Sequence, residues 1–261
     1  MNRITKLFEQ NPTNLLSVYF TAGFPTMEST TSILQQLYNN KVDLVEIGIP
    51  FSDPIADGPV IQSSNDCALS NGMTLSKLFI QLKDIRNNIP EMPMILMGYL
   101  NPIIQFGVEE FCRKSNECGI DGIILPDLPL GEYVNSYQSI FEKYNLKIVF
   151  LITQNTSDKR IEEIDHHSGG FIYVVSSNST TGTQENISDE RMSYFKRISE
   201  MELKNKTMIG FGISNNKTWT DACKYSNGAI IGSAFIKHLS QFGESESSIS
   251  NFIENIKTTQ S

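Results

Sequence analysis

Leu44-Val45-Glu46-Ile47-Gly48-Ile49-Pro50-Phe51-Ser52-Asp53-Pro54-Ile55-Ala56-Asp57-Gly58-Pro59-Val60-Ile61-Gln62 opens as an apolar, β-rich run with one carboxylate inside it and closes as a loop, punctuated by proline and glycine, that carries two more. A carboxylate within a strand core costs free energy unless it is paired or protonated, so Glu46 needs a chemical reason for its position. Proline suits the first position of a helix, and Gly58-Pro59 therefore predicts an extra helix over residues 59–70.

The same strand-then-helix order recurs on both sides of this stretch. Upstream, Ile4, Leu7 and Phe8 have helical spacing and Asn11-Pro12 stops it; residues 15–21 then read as a strand and 26–40 as a helix. The strand at 42–49 is answered by Leu75, Leu78, Phe79, Leu82 and Ile85, helical over 74–87. Further strands are predicted at 92–99, 122–125, 147–153, 171–176, 207–213 and 229–234, with helices at 108–118, 132–144, 157–167, 189–201, around 216–225, and 247–257. Continuous apolar strands alternating with helices indicate a parallel sheet buried on both faces. Eight such units in 261 residues fit an α/β fold of one domain, residues 1–261, better than a doubly wound sheet. The expectation is a (β/α)8 TIM barrel with a short N-terminal helix and an extra helix after strand 2.

Composition narrows the function classes. Charged residues make up 19% and hydrophobic ones 39%, ordinary values for a globular chain. No apolar run approaches the ~20 residues that span a bilayer, and residues 1–8 carry no secretory signal pattern, so no membrane association and a cytoplasmic location are expected. A net charge of −8 argues against a nucleic-acid or anionic-membrane partner, yet leaves room for an anionic small ligand held by backbone N–H groups. Cysteines 67, 112, 118 and 223 form no CxxC pair and read as reduced structural thiols.

Barrel enzymes build their sites from the loops after the strands. Three such loops stand out: 50–73, which is long; 100–107, which is unusually apolar; and 177–188, which is polar and reads as a lid. Side chains alternate along a strand, so Glu46 shares a face with Leu44 and Gly48. If that face lines the barrel, desolvation raises the pKa of Glu46 and makes it a proton donor near neutral pH; the alternative is a structural glutamate paired with a basic residue across the barrel. Asp57, just before the extra helix, is expected to be held ionised by the helix dipole, unless it is a simple cap or turn residue. Two carboxylates with opposite bias would give an acid and a base at one site. Asp53 reads as a turn former.

Gly210-Phe211-Gly212 ends strand 7 and Gly232-Ser233 ends strand 8, the two strand ends where this fold holds phosphate; Thr181-Gly182 can add a donor from the lid. A phosphate-ester substrate is expected. Tyr173, within strand 6, either reaches the site or packs in the core. His166, His167 and His238 form no metal cluster with Asp or Cys, and Lys147 lies at the wrong end of its strand for a Schiff-base nucleophile.

The 46–62 stretch resembles the signature of the tryptophan synthase alpha subunit family, and the likeness continues through Thr21-Ala22-Gly23, Leu96-Met97-Gly98-Tyr99-Leu100-Asn101-Pro102, Leu125-Pro126-Asp127-Leu128-Pro129, Gly210-Phe211-Gly212-Ile213 and Gly232-Ser233-Ala234. The resemblance implies retro-aldol cleavage of indole-3-glycerol phosphate to indole and glyceraldehyde 3-phosphate, late in L-tryptophan biosynthesis. It implies that Glu46 is the acid/base protonating indole C3 and that Asp57 accepts the indole N–H. Gly182, Gly212, Gly232 and Ser233 match phosphate-binding positions, and Tyr173 matches a site-lining tyrosine. No cofactor is implied in this chain; pyridoxal phosphate belongs to a beta subunit, expected as partner in an alpha2-beta2 complex. One departure is Ser179-Thr180-Thr181-Gly182, where the family commonly has Gly-Val-Thr-Gly, so lid stiffness is expected to differ. Ile103, Ile104 and Phe106, with the Asp53 loop, are expected to face the partner or to pack in the core. A stand-alone lyase and a non-catalytic phosphate-binding scaffold remain alternatives.

Overall fold

Apolar and β-branched residues that can be buried on both faces form the strands, and amphipathic segments return the chain along the outside. The computed structural model describes residues 1–176, 189–210 and 212–258. Helix α1 (Arg3–Gln10) leads into β1 (Leu15–Thr21), α2 (Ser29–Asn39), β2 (Leu44–Gly48), α3 (Pro59–Ser70), α4 (Leu75–Leu82), β3 (Met94–Met97), α5 (Leu100–Phe106), α6 (Val108–Glu117) and β4 (Gly122–Ile124). Then follow α7 (Leu130–Glu132), a π-helical segment (Tyr133–Tyr137), α8 (Gln138–Lys143), β5 (Lys147–Ile152), α9 (Asp158–His167), β6 (Ile172–Val175), α10 (Asp189–Ser199), β7 (Thr207–Gly210), α11 (Asn216–Cys223), β8 (Gly228–Ile231), α12 (Ser233–Phe242) and α13 (Glu246–Lys257). Among the described residues the eight strands close in chain order, every neighbour parallel, with β8 pairing back to β1. This is the expected TIM barrel. No helix among the described residues is long and apolar enough to cross a membrane.

Three elements differ from expectation. Residues 229–234 look like one strand because the run is uniformly apolar or small, a pattern that does not separate strand from helix. The strand stops at Ile231, and α12 starts at Ser233 and buries Phe235, Ile236 and Leu239 at helical spacing. The 100–107 loop is instead helix α5, and Pro102 sits in its first turn, where a missing N–H costs nothing. Within it Ile103 is buried in the core and Phe106 packs on Phe79 at 5.6 Å between ring centres, while Ile104 is half exposed. The predicted helix at 74–87 ends as α4 at Leu82, with a 3-10 turn at Ile85–Asn87.

Helix α1 closes the N-terminal end of the barrel. Ile4 is fully buried, and its Cδ1 lies 2.8 Å from where a Cβ on Gly122, at the start of β4, would be placed. Phe8 packs on Phe171 with ring centres 5.9 Å apart. Asn2 caps the helix by accepting from the Ile4 N–H (2.9 Å) and donates to the Asp121 and Asn145 carbonyls. The buried Asp121 carboxylate accepts from Arg86 Nη2 (2.7 Å), Arg3 Nη1 (3.1 Å) and the Met94 N–H (3.0 Å). It therefore ties α1, the 3-10 turn and the start of β3 to one point. With this end sealed, the cavity lies at the ends of the strands where the loops lead into helices.

The Asp121 cluster makes a stability prediction. Removing the charge leaves two guanidinium groups facing a buried amide, a change that costs about 3 kcal/mol when a buried pair is broken. Asp121→Asn is expected to lower the urea midpoint of unfolding accordingly, and a midpoint equal to wild type would show that this cluster does not anchor the barrel floor.

Candidate active site

Glu46 faces the barrel interior at mid-height. Its strand register sets Tyr19 of β1 beside it and Ile95 of β3 on the other side. Residues 44, 46 and 48 share this face, as period two demands, and the last of them is a glycine for a steric reason. A Cβ on Gly48 would lie 2.2 Å from the Tyr19 hydroxyl, so the tyrosine ring can lean over β2 only because no side chain stands there. Across the barrel the arrangement repeats: a Cβ on Gly210 would lie 2.1 Å from the Tyr173 hydroxyl. Both tyrosines are buried, and burial raises their pKa, so they stand neutral as walls of the cavity.

The cavity they bound measures about 360 Å³ and opens at the mouth of the barrel. Glu46, Asp57, Tyr173, Gly212, Gly232 and Ser233 all line it. Six of the residues singled out from sequence thus meet at one cavity. Thr181 and Gly182, and the proposed lid at 177–188, lie outside the described residues.

Glu46 is fully buried, and no cation reaches it among the described residues. Its Oε1 accepts from the Ser17 hydroxyl at 3.1 Å, and its Oε2 has no hydrogen-bond partner there. The basic partner of the structural alternative is therefore missing. Burial pushes the carboxyl up to about 8, and the Ser17 hydrogen bond pulls the other way. A group that gives up its proton near neutral pH is suited to general acid chemistry.

Asp57 sits on the loop ahead of α3, where Gly58 is the extended cap residue and Pro59 the first helical one. Its Oδ2 accepts from the Tyr99 hydroxyl at 3.0 Å, and that hydroxyl accepts from the Ala56 N–H at 3.1 Å. The expectation that the helix dipole holds Asp57 ionised is corrected here. Burial raises its pKa, the Tyr99 hydrogen bond opposes that rise, and the desolvation dominates. Both carboxyls are thus biased toward the neutral form rather than in opposite directions.

The far side of the cavity is built from backbone. Gly212 adopts φ +75°, a conformation that other side chains rarely take, and this turns the chain sharply after β7. Ser233 is the first residue of α12, so its N–H and the next ones have no partner within the helix and, with the positive end of the dipole, suit an anion. Lys237, one turn on, lines the same cavity and adds a positive charge. Sequence reading missed Ser17, Tyr19, Tyr99 and Lys237. The i to i+4 spacing from Ser233 could have flagged Lys237, but only once the helix was known. Among the described residues no group of three or more His, Cys, Asp or Glu side chains is placed to hold a metal ion.

Comparison with known proteins agrees with this geometry. A family model described as tryptophan synthase alpha chain matches residues 5–261. The tryptophan synthase alpha chain of Christiangramia forsetii is 52% identical over 257 residues, covering 98% of this chain and 99% of its own. That of Flavobacterium johnsoniae is 54% identical over 257 residues, covering 98% and 100%. Among solved structures, a tryptophan synthase alpha chain from Legionella pneumophila aligns with a TM-score of 0.86 at 32% identity, covering 98% of this chain and 96% of that one. A chain of a tryptophan synthase complex from Pyrococcus furiosus aligns with a TM-score of 0.84 at 34% identity, covering 94% and 98%.

The buried carboxyl also fixes a pH dependence. Its ordinary value is 4.5 and its value in the barrel about 8, so the folded chain keeps a proton that the unfolded chain loses between these limits. The stability contributed by the neutral form is complete below 4.5 and is lost as the pH rises through 8. Glu46→Gln stays neutral throughout. It is expected to match wild type in urea unfolding below the lower limit and to exceed it by roughly 3–5 kcal/mol above the upper one. A difference that does not grow with pH would show that the carboxyl is not held neutral.

Proposed function

The chain belongs to the tryptophan synthase alpha chain family, and on that premise we propose how its cavity carries out the alpha-chain reaction, the cleavage of indole-3-glycerol phosphate to indole and glyceraldehyde 3-phosphate. This is a carbon–carbon lyase step late in L-tryptophan biosynthesis. The observation that carries the residue assignment is the buried Glu46, which among the described residues meets no cation and has one oxygen unpartnered, on the wall of a cavity that ends at the start of α12.

Glu46 delivers its proton to C3 of the indole. The ring then carries positive charge at its nitrogen, and the Asp57 carboxylate, accepting the N–H, stabilises that charge. The bond between C3 and the side-chain carbon breaks, and its electron pair restores the aromatic ring. The hydroxyl on the departing carbon becomes the aldehyde as it loses its proton, which the Glu46 carboxylate can take back, so atoms and charge balance over the turnover. Tyr173 and Tyr19 wall the indole and keep water from the carboxyl. The phosphate lies against the backbone at Gly212, Gly232 and Ser233, with Thr181 and Gly182 proposed to add donors.

The alpha chain uses no cofactor of its own. Its partner is the beta subunit, which holds pyridoxal phosphate and consumes the indole; a solved Pyrococcus furiosus relative is described as an alpha2-beta2 complex. We place the chain in the cytoplasm, as one barrel domain over residues 1–261.

Glu46→Gln is expected to lower indole release by at least about 100-fold, as loss of a general acid does, while binding of glycerol 3-phosphate is retained. Loss of that binding with turnover of bound substrate intact would overturn the role given to Glu46. Indole release is also expected to rise strongly when the beta subunit is added; equal rates with and without it would favour a stand-alone lyase.

A further inference from the structure

Strand β1 reads Leu-Leu-Ser-Val-Tyr-Phe-Thr and is buried along its whole length. A hydroxyl at Ser17 in such a strand is costly unless it is hydrogen-bonded. The only hydrogen bond its side chain makes among the described residues is to Glu46 Oε1. The register explains the reach. Tyr19 is level with Glu46, and Ser17 is level with Leu44, one inward-facing position closer to the sealed end. Tyr19 therefore stands beside the glutamate while Ser17 sits beneath it.

We propose that Ser17 is a positioning residue for the lyase reaction, fixing Oε1 of Glu46 as an acceptor so that Oε2 is the oxygen that carries and exchanges the proton. This rests on the acid role given to Glu46. A hydroxyl donating to Oε1 leaves the proton of the neutral acid on Oε2, which has no hydrogen-bond partner among the described residues and belongs to a side chain lining the cavity. After the proton has gone to indole C3, the same hydroxyl donates to a full carboxylate, where the bond is stronger. Ser17 thus contributes more to the state after proton transfer than to the state before it, which is the differential that accelerates a step.

The other ionisable groups facing Glu46 are Tyr19 on β1, Tyr173 on β6 and Asp57 ahead of α3, with Lys237 on α12 at the far side of the cavity. The tyrosines stay neutral in the working range, and among the described residues the hydrogen bond that lowers the Glu46 pKa against its burial is the one from Ser17, from below.

The test is the pH profile of kcat/KM for indole-3-glycerol phosphate, measured on the complex with the beta subunit. The rate requires protonated Glu46, so wild type should lose activity on the alkaline side with a midpoint near 8. Ser17→Ala removes one buried oxygen. It is expected to move that midpoint up by about half a pH unit or more and to lower kcat about three- to tenfold, the effect of one net hydrogen bond. Ser17→Thr and Ser17→Val add the same volume and differ in the hydroxyl, so the Thr variant should keep the wild-type midpoint and the Val variant should share the shift of Ala. An unmoved midpoint in the Ala variant, or equal midpoints in the Thr and Val variants, would overturn the role of Ser17 even if kcat falls. If wild type shows no alkaline midpoint near this value, or Glu46→Gln remains active, the acid role of Glu46 itself fails, and the Ser17 role falls with it.

Discussion

A carboxyl group buried without a cation is the constraint on which this barrel's chemistry depends. Glu46 could be made tolerable in either of two ways: by a basic partner, which would fix it as a carboxylate, or by protonation, which leaves it able to act as an acid. The chain takes the second course, with the neutral hydroxyl of Ser17 as its support among the described residues. The surrounding structure maintains this condition. Helix α1 and the Asp121 cluster seal the end below Glu46, and the two tyrosines, each admitted by a glycine on a neighbouring strand, shield it from the side.

The opposite wall of the cavity meets the opposite demand. A phosphate is bound most cheaply by donors that need no desolvated side-chain charge, and the start of a helix supplies them. Strand β8 ends early so that α12 can begin at the cavity, and β7 ends in a turn that only glycine makes readily. An acid that must stay dry and an anion that must be met by donors are thus held apart on two sides of one opening. A substrate with an apolar ring at one end and a phosphate at the other fits that division.

Much of this was legible in residue order. The apolar runs marked the strands, Gly58-Pro59 marked the start of α3, and a glutamate inside an apolar run marked the acid-bearing wall because the energetic cost of such a residue is large. The parts that were hidden depended on partners distant in sequence. The Tyr99 bond to Asp57 joins residues on different strand loops, and the Ser17 bond to Glu46 follows from the β1 to β2 register. The charge bias of Asp57 was misjudged for this reason: the local helix was visible, whereas the burial that outweighs it is a property of the assembled mouth. Helix α12 was hidden by a different ambiguity, since a short run of small and apolar residues has no period that identifies it.

The protonation of Glu46 near physiological pH is open to direct observation. Titration of the side-chain carboxyl by carbon-13 NMR, with Glu46→Gln identifying the signal, reports its protonation in the folded chain. A midpoint near 8 is the predicted result. A midpoint at or below 4.5, the ordinary glutamate value, would mean that the carboxyl is ionised in the barrel and cannot serve as its acid.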